Sequence, residues 1–313
     1  MKWLTGAVAA AAVLSAGAAI ETAYFYRRTM KRSIAKVERT MKMAGTDWSQ
    51  HMDFIQKRKE YFLAQPHTDV YMLSGDGLKL HATYFPQADE KRVVICFHGY
   101  TSEGMKDFVA LSDYYMKHGY SMLMLDARAH GKSEGTYIGF GCLDRKDALG
   151  WIDWVVKNCG EDVQILLHGI SMGGATVLMT SGLNLPGQVK GIISDCGFTS
   201  PKEVFTHVLH SMYHLPAFPV IPLADVMNRR LAGYGMDECN AAREVRKAEV
   251  PILVIHGDGD TFVPSSMCET IYENCASEKK KLIVSGAAHA ESYYKDTAGY
   301  ERALDEFIGG VIV

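Results

Sequence analysis

Short apolar runs alternate with longer amphipathic segments from about residue 78 to the end of this chain. Seven of the apolar runs have the length and the apolar content of strands, and they cover residues 78–85, 92–97, 120–125, 164–167, 191–194, 252–256 and 281–284. The amphipathic segments predict helices at 105–118, 143–158, 265–275 and 293–308. Strands that are apolar almost throughout and are separated by helices indicate an α/β fold with a mostly parallel, doubly wound sheet. The first two strands are expected to form a hairpin.

One stretch, residues 196–250, breaks this alternation. Helical patterns at about 200–214 and 223–231 flank an apolar run that contains three prolines. The stretch lies between two predicted strands, so we expect a helical insertion at about 200–245 above the C-terminal ends of the sheet. Its flexible and aromatic side chains suit an acyl or alkyl group, and Met212, Phe218 and Met227 are the predicted substrate-binding residues.

The N-terminal segment has a different composition. Residues 3–20 carry no charge, and Glu21 is followed by three aromatic residues and the basic cluster Arg27, Arg28, Lys31 and Arg32. A bilayer span needs about 20 apolar residues, so residues 1–26 predict a single-pass membrane anchor. The basic cluster places the rest of the chain on the cytoplasmic side. Residues 27–69 are then expected to form a basic, helical stalk, and residues 70–313 a single domain.

Two other interpretations of this segment remain open. Ala16-Gly17-Ala18 has the small residues of a signal-peptidase site, which would make residues 1–26 a signal peptide of a secreted protein. An amphipathic helix on a membrane surface is the third interpretation. The weak positive charge before the apolar run, from Lys2 alone, favours the uncleaved anchor.

Charge is distributed unevenly along the chain. Through Gln65, eleven Lys and Arg face five Asp and Glu, whereas the whole chain has a net charge of −3. The remainder is therefore strongly acidic, which argues against nucleic acid as a partner, while the basic part suits an anionic membrane surface.

The seven cysteines include no Cys-x-x-Cys motif, so neither a zinc site nor a redox dithiol is expected. Buried free thiols agree with a reducing compartment.

The candidate chemistry centres on Ser171. It stands in Gly169-Ile170-Ser171-Met172-Gly173, between the predicted strand 164–167 and a helical pattern. A Gly-x-Ser-x-Gly at a strand-to-helix turn is a nucleophile elbow, because the glycines let strand and helix pass closely and the sharp turn presents the hydroxyl. The bare pattern also occurs by chance, so this interpretation depends on the flanking elements.

A serine hydroxyl is a good nucleophile only when a base takes its proton and an acid orients that base. His289 follows the last predicted strand in a loop of small residues, and we interpret it as the base. Two carboxylates, Asp258 and Asp260, follow the strand 252–256. Either of them could be the acid, and a loop carboxylate is often only a turn-capping group.

The reaction also needs donors for the negative charge that develops on the carbonyl oxygen. The backbone amide of Met172, directly after the nucleophile, is the first predicted donor. The second is the amide of Tyr100, because Gly99 lets the loop after the strand 92–97 turn inward.

Five segments of the chain recur in a familiar order: His98-Gly99-Tyr100, Asp126-Ala127-Arg128-Ala129-His130-Gly131-Lys132-Ser133, Gly169-Ile170-Ser171-Met172-Gly173, His256-Gly257-Asp258-Gly259-Asp260-Thr261-Phe262-Val263-Pro264 and Gly286-Ala287-Ala288-His289. Together they resemble the α/β-hydrolase superfamily, and most of all its monoacylglycerol-lipase-like and serine-aminopeptidase-like branch, from about Val70 to the C-terminus. The resemblance implies an α/β-hydrolase fold with a helical cap, and it selects Asp260 as the acid. Ala129 departs from the glycine that these hydrolases often have there.

The resulting prediction is a serine hydrolase that cleaves lipophilic carboxylic esters through an acyl-enzyme on Ser171. Thioesters and amides are neighbouring substrates for the same residues, and a catalytically silent ligand-binding domain is the alternative from another class. No cofactor and no metal is expected. The predicted partners are a small-molecule acyl substrate and a membrane, and the oligomeric state stays open. Because every assigned residue lies beyond Arg92, activity is expected to survive removal of the chain before about Lys57.

Overall fold

A computed structural model gives the structure of the protein and describes residues 20–32, 46–89 and 91–312. In these residues one sheet has eight strands: β1 (Thr68–Leu73), β2 (Lys79–Phe85), β3 (Arg92–Phe97), β4 (Ser121–Asp126), β5 (Gln164–Ile170), β6 (Val189–Asp195), β7 (Ile252–Gly257) and β8 (Lys279–Val284). Their order is β1-β2-β4-β3-β5-β6-β7-β8. All pairs from β4 to β8 are parallel, so the prediction of a mostly parallel sheet is confirmed.

The predicted hairpin between β2 and β3 is wrong. β2 pairs antiparallel with β1 on one side and with β4 on the other, whereas β3 lies between β4 and β5. The residues of β3 after Arg92 are all buried, so this strand is stabilised at the centre of the sheet, where helices cover both faces. β1 is absent from the prediction because it is an edge strand with exposed and half-buried residues only.

Helices connect the strands. They are α1 (residues 20–30), α2 (Met52–Leu63), α3 (Gly104–Asp107), α4 (Ser112–Lys117), α5 (Asp144–Cys159), α6 (Met172–Thr180), α7 (Pro201–Tyr213), α8 (Val220–Leu231), α9 (Ala241–Glu244), α10 (Ser265–Asn274), α11 (Ser292–Lys295) and α12 (Thr297–Val311). The segments predicted as single helices at 105–118 and 293–308 are each divided in two. Short 3-10 turns precede α2 and follow α9.

The hydrophobic core consists of two layers, one on each face of the sheet. Val93 and Ile95 of β3 point into the layer that contains α5, α6 and α10. Val94 and Cys96 point into the opposite layer, with α2, α4 and α12. Successive side chains of a strand face opposite sides, so one continuous apolar run supplies both layers.

The insertion between β6 and β7 forms α7 and α8. The hydroxyl of Ser200 accepts a hydrogen bond from the amide of Glu203, and Pro201 occupies the first turn, which is a favourable start for a helix. His214 ends α7 in the left-handed conformation. The two helices are joined by the proline-containing stretch and share a small apolar cluster that includes Leu209 and Ile221.

Helix α1 packs on the domain. Tyr26 and Met30 are 2% and 0% exposed and belong to the main core cluster. The amide of Ile138 donates to the carbonyl of Met30 at 2.9 Å, and the amide of Arg32 donates to the carbonyl of Thr136 at 2.9 Å. This part of the predicted anchor and stalk is therefore held by the folded domain.

These contacts correct the predicted membrane anchor. Most of it, residues 1–19 with the Ala16-Gly17-Ala18 site, lies outside the described residues. The remainder belongs to α1, where Phe25 contacts the ring of Tyr213 and Tyr26 is buried, so these aromatic side chains are not bilayer anchors. No helix of the described residues combines the length and the apolar content that a bilayer span requires. The predicted localisation, a single-pass membrane protein with a cytoplasmic domain, is wrong.

Candidate active site

The turn between β5 and α6 holds Ser171 in a strained conformation. Its φ of 55° and ψ of −112° lie in a region that serine rarely adopts. A Cβ at Gly169 would lie 2.1 Å from the carbonyl oxygen of Gly173, and a Cβ at Gly173 would lie 1.8 Å from that of Phe97. The two glycines therefore allow β5, α6 and β3 to approach one another, and the turn presents Ser171 at the C-terminal end of β5.

A chain of short hydrogen bonds connects three residues from separate loops. The Oγ of Ser171 lies 2.8 Å from Nε2 of His289, and Nδ1 of His289 lies 2.7 Å from Oδ2 of Asp260. The other oxygen of Asp260 accepts hydrogen bonds from the amides of Phe262 and Val263, each at 2.9 Å. The loops after β5, β7 and β8 thus bring together the three side chains that we predicted.

Burial and charge act against each other in this chain. Burial alone would raise the pKa of the Asp260 carboxyl, but the nearby imidazole of His289 and the hydrogen bonds to Asp260 lower it. Burial alone would lower the pKa of His289, but the charge of Asp260 raises it above its ordinary value of 6.5. Asp260 is therefore ionised at neutral pH, and it stabilises a proton on His289.

The rival carboxylate has a different environment. Oδ1 of Asp258 accepts a hydrogen bond of 2.5 Å from the amide of Gly286, and its side chain is exposed. It ties the loop after β7 to the loop after β8. Asp258 therefore links two loops, and Asp260 is the carboxylate that contacts His289.

The loop after β3 passes close to Ser171. A Cβ at Gly99 would lie 3.4 Å from Cβ of Ser171. Asp107 orients this loop, because its carboxylate accepts hydrogen bonds from the amide of Gly99 at 2.7 Å and from the hydroxyl of Ser102. The amide of Tyr100 follows directly in this loop, and the amide of Met172 is at the first turn of α6, where no helix carbonyl is available to it.

The segment from Asp126 to Ser133 supports the loops beside the site. Arg128 is buried and forms ion pairs with Asp147 at 2.7 Å and Asp76 at 2.9 Å. Nε2 of His130 accepts a hydrogen bond from the amide of Thr101 at 3.3 Å. Burial lowers the pKa of His130 to about 3, so its ring is neutral and can accept this bond. Ala129 has a positive φ of 62°.

A cleft of about 930 Å³ opens beside Ser171. Its walls are apolar or aromatic for the most part and come from the insertion, the loops after the strands and α1: Thr22, Phe25, Tyr26, Arg28, Thr29, Tyr100, Phe140, Phe198, Val204, Phe205, Val208, Leu209, Tyr213, Val220, Ile221, Ala224, Met236 and Phe262. The insertion therefore supplies part of the walls of the cleft.

The three predicted substrate-binding residues are not in these walls. Phe218 is 77% exposed, because it lies in the turn between α7 and α8. Met212 and Met227 are half-buried on faces of α7 and α8 that do not line the cleft. Which side chains face the cleft, such as those of Leu209 and Ile221, depends on how each helix is rotated about its axis. Local composition does not determine that rotation.

The N-terminal region contributes more to the site than the sequence indicated. Five residues of α1 line the cleft, and the hydroxyl of Thr46 donates a 2.6 Å hydrogen bond to the carbonyl of His289. Nε2 of His51 lies 3.0 Å from Oε1 of Glu291 in the same loop. The expectation that activity survives removal of the chain before about Lys57 stays a prediction, and these contacts would be absent from the shortened protein.

Comparison with known proteins agrees with this architecture. The family model described as serine aminopeptidase, S33 (Hydrolase_4) matches residues 88–232. An esterase of Pyrococcus furiosus superposes with a TM-score of 0.65 at 21% identity, covering 81% of this chain and 94% of that chain. The described residues have the α/β-hydrolase fold, and residues 88–232 match the model of a family of hydrolases. The resemblance seen in its five segments is thereby confirmed.

Other relatives of this hydrolase cover similar or shorter parts of the chain. The uncharacterised protein YqkD of Bacillus subtilis is 27% identical over 249 residues, which are 80% of this chain and 81% of that protein. The lysophosphatidylserine lipase ABHD12 of Danio rerio is 26% identical over 191 residues, 60% of this chain and 48% of that protein.

One further cluster in the hydrolase includes Cys196. The sulfur of Cys196, a carboxylate oxygen of Asp260 and a ring nitrogen of His289 lie within 4.8 Å of one another. A metal would require the thiolate, but burial raises the pKa of Cys196 well above its ordinary value. Both ring nitrogens of His289 already have partners. The donor set therefore does not fit a metal.

Proposed function

We propose that this α/β-hydrolase is a serine hydrolase that cleaves carboxylic esters of lipophilic groups through an acyl-enzyme on Ser171. The observation that supports the proposal most strongly is the pair of hydrogen bonds from Ser171 to His289 and from His289 to Asp260. A nucleophile, a base and an orienting acid in this arrangement perform acyl transfer on many unrelated folds.

Acylation begins when the Oγ of Ser171 attacks the ester carbonyl carbon and its proton passes to Nε2 of His289. The carbonyl oxygen becomes an oxyanion, which the amides of Met172 and Tyr100 stabilise by hydrogen bonds. When the tetrahedral intermediate collapses, the bond from carbon to the alcohol oxygen breaks. His289 donates its proton to the departing alcohol, and the acyl group remains on Ser171.

Deacylation repeats these steps with water. His289 takes a proton from a water molecule whose oxygen attacks the acyl carbon, and the bond to Ser171 breaks as its Oγ recovers the proton. Asp260 stays ionised throughout, because His289 holds its pKa below the ordinary value. Its role is to fix the tautomer of His289 and to stabilise the imidazolium.

The walls of the cleft support a lipophilic substrate. Aromatic and aliphatic side chains of α1, α7 and α8 surround the space next to Ser171, and such walls favour an acyl or alkyl chain over a polar one. Structural neighbours named as esterases and a relative named as a lipase agree with ester cleavage. Thioesters and amides are the competing substrates for the same three residues.

Two measurements test the proposal. A fluorophosphonate probe should label the wild-type protein and the Ser211→Ala variant, an exposed serine of α7, but not Ser171→Ala. Hydrolysis of matched esters, thioesters and aminoacyl amides with the same acyl chain should then rank the ester first. Labelling of the Ser171→Ala variant would exclude Ser171 as nucleophile, and absence of turnover on every substrate would favour a ligand-binding domain.

A further inference from the structure

The cleft contains one charged side chain among the described residues that line it. This is Arg28 of α1, which lies among aromatic, aliphatic and hydroxyl-bearing groups. A cation next to apolar walls loses part of its hydration, and an anionic partner compensates for this loss. Its charge therefore distinguishes Arg28 from the other described residues that line the cleft.

No carboxylate of the described residues pairs with Arg28. Its Nη1 donates a 2.8 Å hydrogen bond to the hydroxyl of Tyr24, and its guanidinium lies 5.7 Å from the centre of the same ring. The guanidinium has five N–H donors, so this contact leaves most of them available. Arg128, by contrast, is paired with two carboxylates.

Arg28 lies on the side of the cleft that is connected to the oxyanion loop. The neighbouring residue Thr29 accepts a 2.9 Å hydrogen bond at its carbonyl from the hydroxyl of Tyr100. The ring of Tyr100 lies between this bond and the backbone amide that we assign to the oxyanion. Arg28 and Ser171 both line this cleft, so a ligand that occupies the whole cleft contacts both residues.

We propose that Arg28 is a specificity residue that binds the carboxylate or phosphate of an amphiphilic ester while the apolar part of that ester occupies the cleft. This inference rests on the proposed ester hydrolysis at Ser171. Guanidinium binds both anions through paired N–H donors, so the two groups are alternatives that experiment distinguishes.

A binding measurement tests the anion site without turnover. Octyl phosphate, octanoate and octanol are titrated into the Ser171→Ala protein by calorimetry. We expect one or both anions to bind, and Arg28→Gln to weaken that binding about tenfold or more while octanol is unaffected. The anion whose affinity falls more in Arg28→Gln identifies the anionic group that Arg28 binds.

Arg27→Gln is the matched control, because Arg27 is an exposed arginine outside the cleft walls, and it should not change the affinity for any of the three ligands. Equal anion binding with and without Arg28, or absence of anion binding, overturns the proposal.

A turnover measurement tests whether the site selects substrates. Neutral and anionic esters with the same acyl chain are compared by kcat/KM. Arg28→Gln should reduce the ratio of anionic to neutral ester about tenfold, and Arg28→Lys should restore part of it. An equal loss on both esters, or no loss, contradicts the specificity role even if neutral esters are cleaved. Anion binding that depends on Arg28 together with no ester cleavage would instead contradict the proposed function.

Discussion

The hydroxyl of Tyr26 donates a 3.1 Å hydrogen bond to Oδ1 of Asn228. Both side chains are buried, and Nδ2 of Asn228 donates in turn to the carbonyl of Tyr234 at 2.7 Å. The pair joins α1 to α8 and thereby connects the N-terminal part of the chain to the insertion. Helix α1 and the insertion consequently form one connected part of the walls of the cleft.

Tyr26→Phe tests this connection. The substitution leaves the buried oxygen of Asn228 without its donor, and we expect a loss of about 1–2 kcal/mol in the free energy of unfolding. Urea denaturation provides the measurement. Tyr61→Phe is the matched control, because Tyr61 is 53% exposed, and it should be neutral. Equal stability of the two variants would mean that α1 is not bound to the domain in solution.

Replacement of each loop carboxylate should separate Asp260 from Asp258. Asp260→Asn removes the group that fixes the tautomer of His289, and a loss of kcat on the order of 10³- to 10⁴-fold is expected. Asp258→Asn affects only the tie to Gly286 and should change kcat by less than about tenfold. Steady-state kinetics on one ester give both values. The reverse ranking would show that the wrong carboxylate was assigned.

The pH dependence of labelling should follow His289. The base must be neutral to accept the proton of Ser171, so the rate of fluorophosphonate labelling rises as pH increases through the pKa of His289. That pKa is raised above 6.5 by Asp260, and the midpoint of the rise should lie above this value. In Asp260→Asn the negative charge is absent, so the midpoint should move to lower pH. An identical midpoint in both proteins contradicts the pairing, and Asp258→Asn serves as the unshifted control.

Asp195 should make stability depend on pH. Burial raises its pKa to about 7 from 3.8, although hydrogen bonds from Tyr300 and Ser292 oppose the shift. The folded state holds the proton while the unfolded chain releases it, so this group's contribution to stability is present below pH 4 and is lost as pH rises towards about 7. Asp195→Asn has no such proton, and its unfolding free energy should fall less over this range. Parallel curves for both proteins would contradict the shift.

The elbow makes a prediction about glycine. A Cβ at Gly173 would lie 1.8 Å from the carbonyl oxygen of Phe97, so Gly173→Ala must displace β3 or α6. We expect a loss of stability of about 3 kcal/mol or more. At Gly187 no atom lies within 4 Å of the corresponding position, and Gly187→Ala should be nearly neutral. Thermal denaturation of both variants gives the comparison, and similar midpoints would contradict the close approach.

The local sequence pattern was sufficient to predict most strands of this protein and its candidate nucleophile. Apolar runs identified seven of the eight strands described, since central parallel strands are buried on both faces and leave a continuous hydrophobic run. The Gly-x-Ser-x-Gly motif identified Ser171 because the sharp turn leaves no space for a side chain at the two glycine positions. The order of the segments, together with the family resemblance, selected Asp260 and His289, although their hydrogen bonds join residues far apart in the chain.

Only the tertiary structure decided how these parts are arranged. Pairing in the sheet is non-local, so adjacency in sequence wrongly suggested a hairpin between β2 and β3. Helix rotation determined that Leu209 rather than Met212 lines the cleft. The apolar and aromatic character of residues 20–26 suits lipid and a protein core equally, because both are dry environments. The burial of Tyr26 on the domain shows which of the two surrounds this side chain, and composition alone contains no information on that choice.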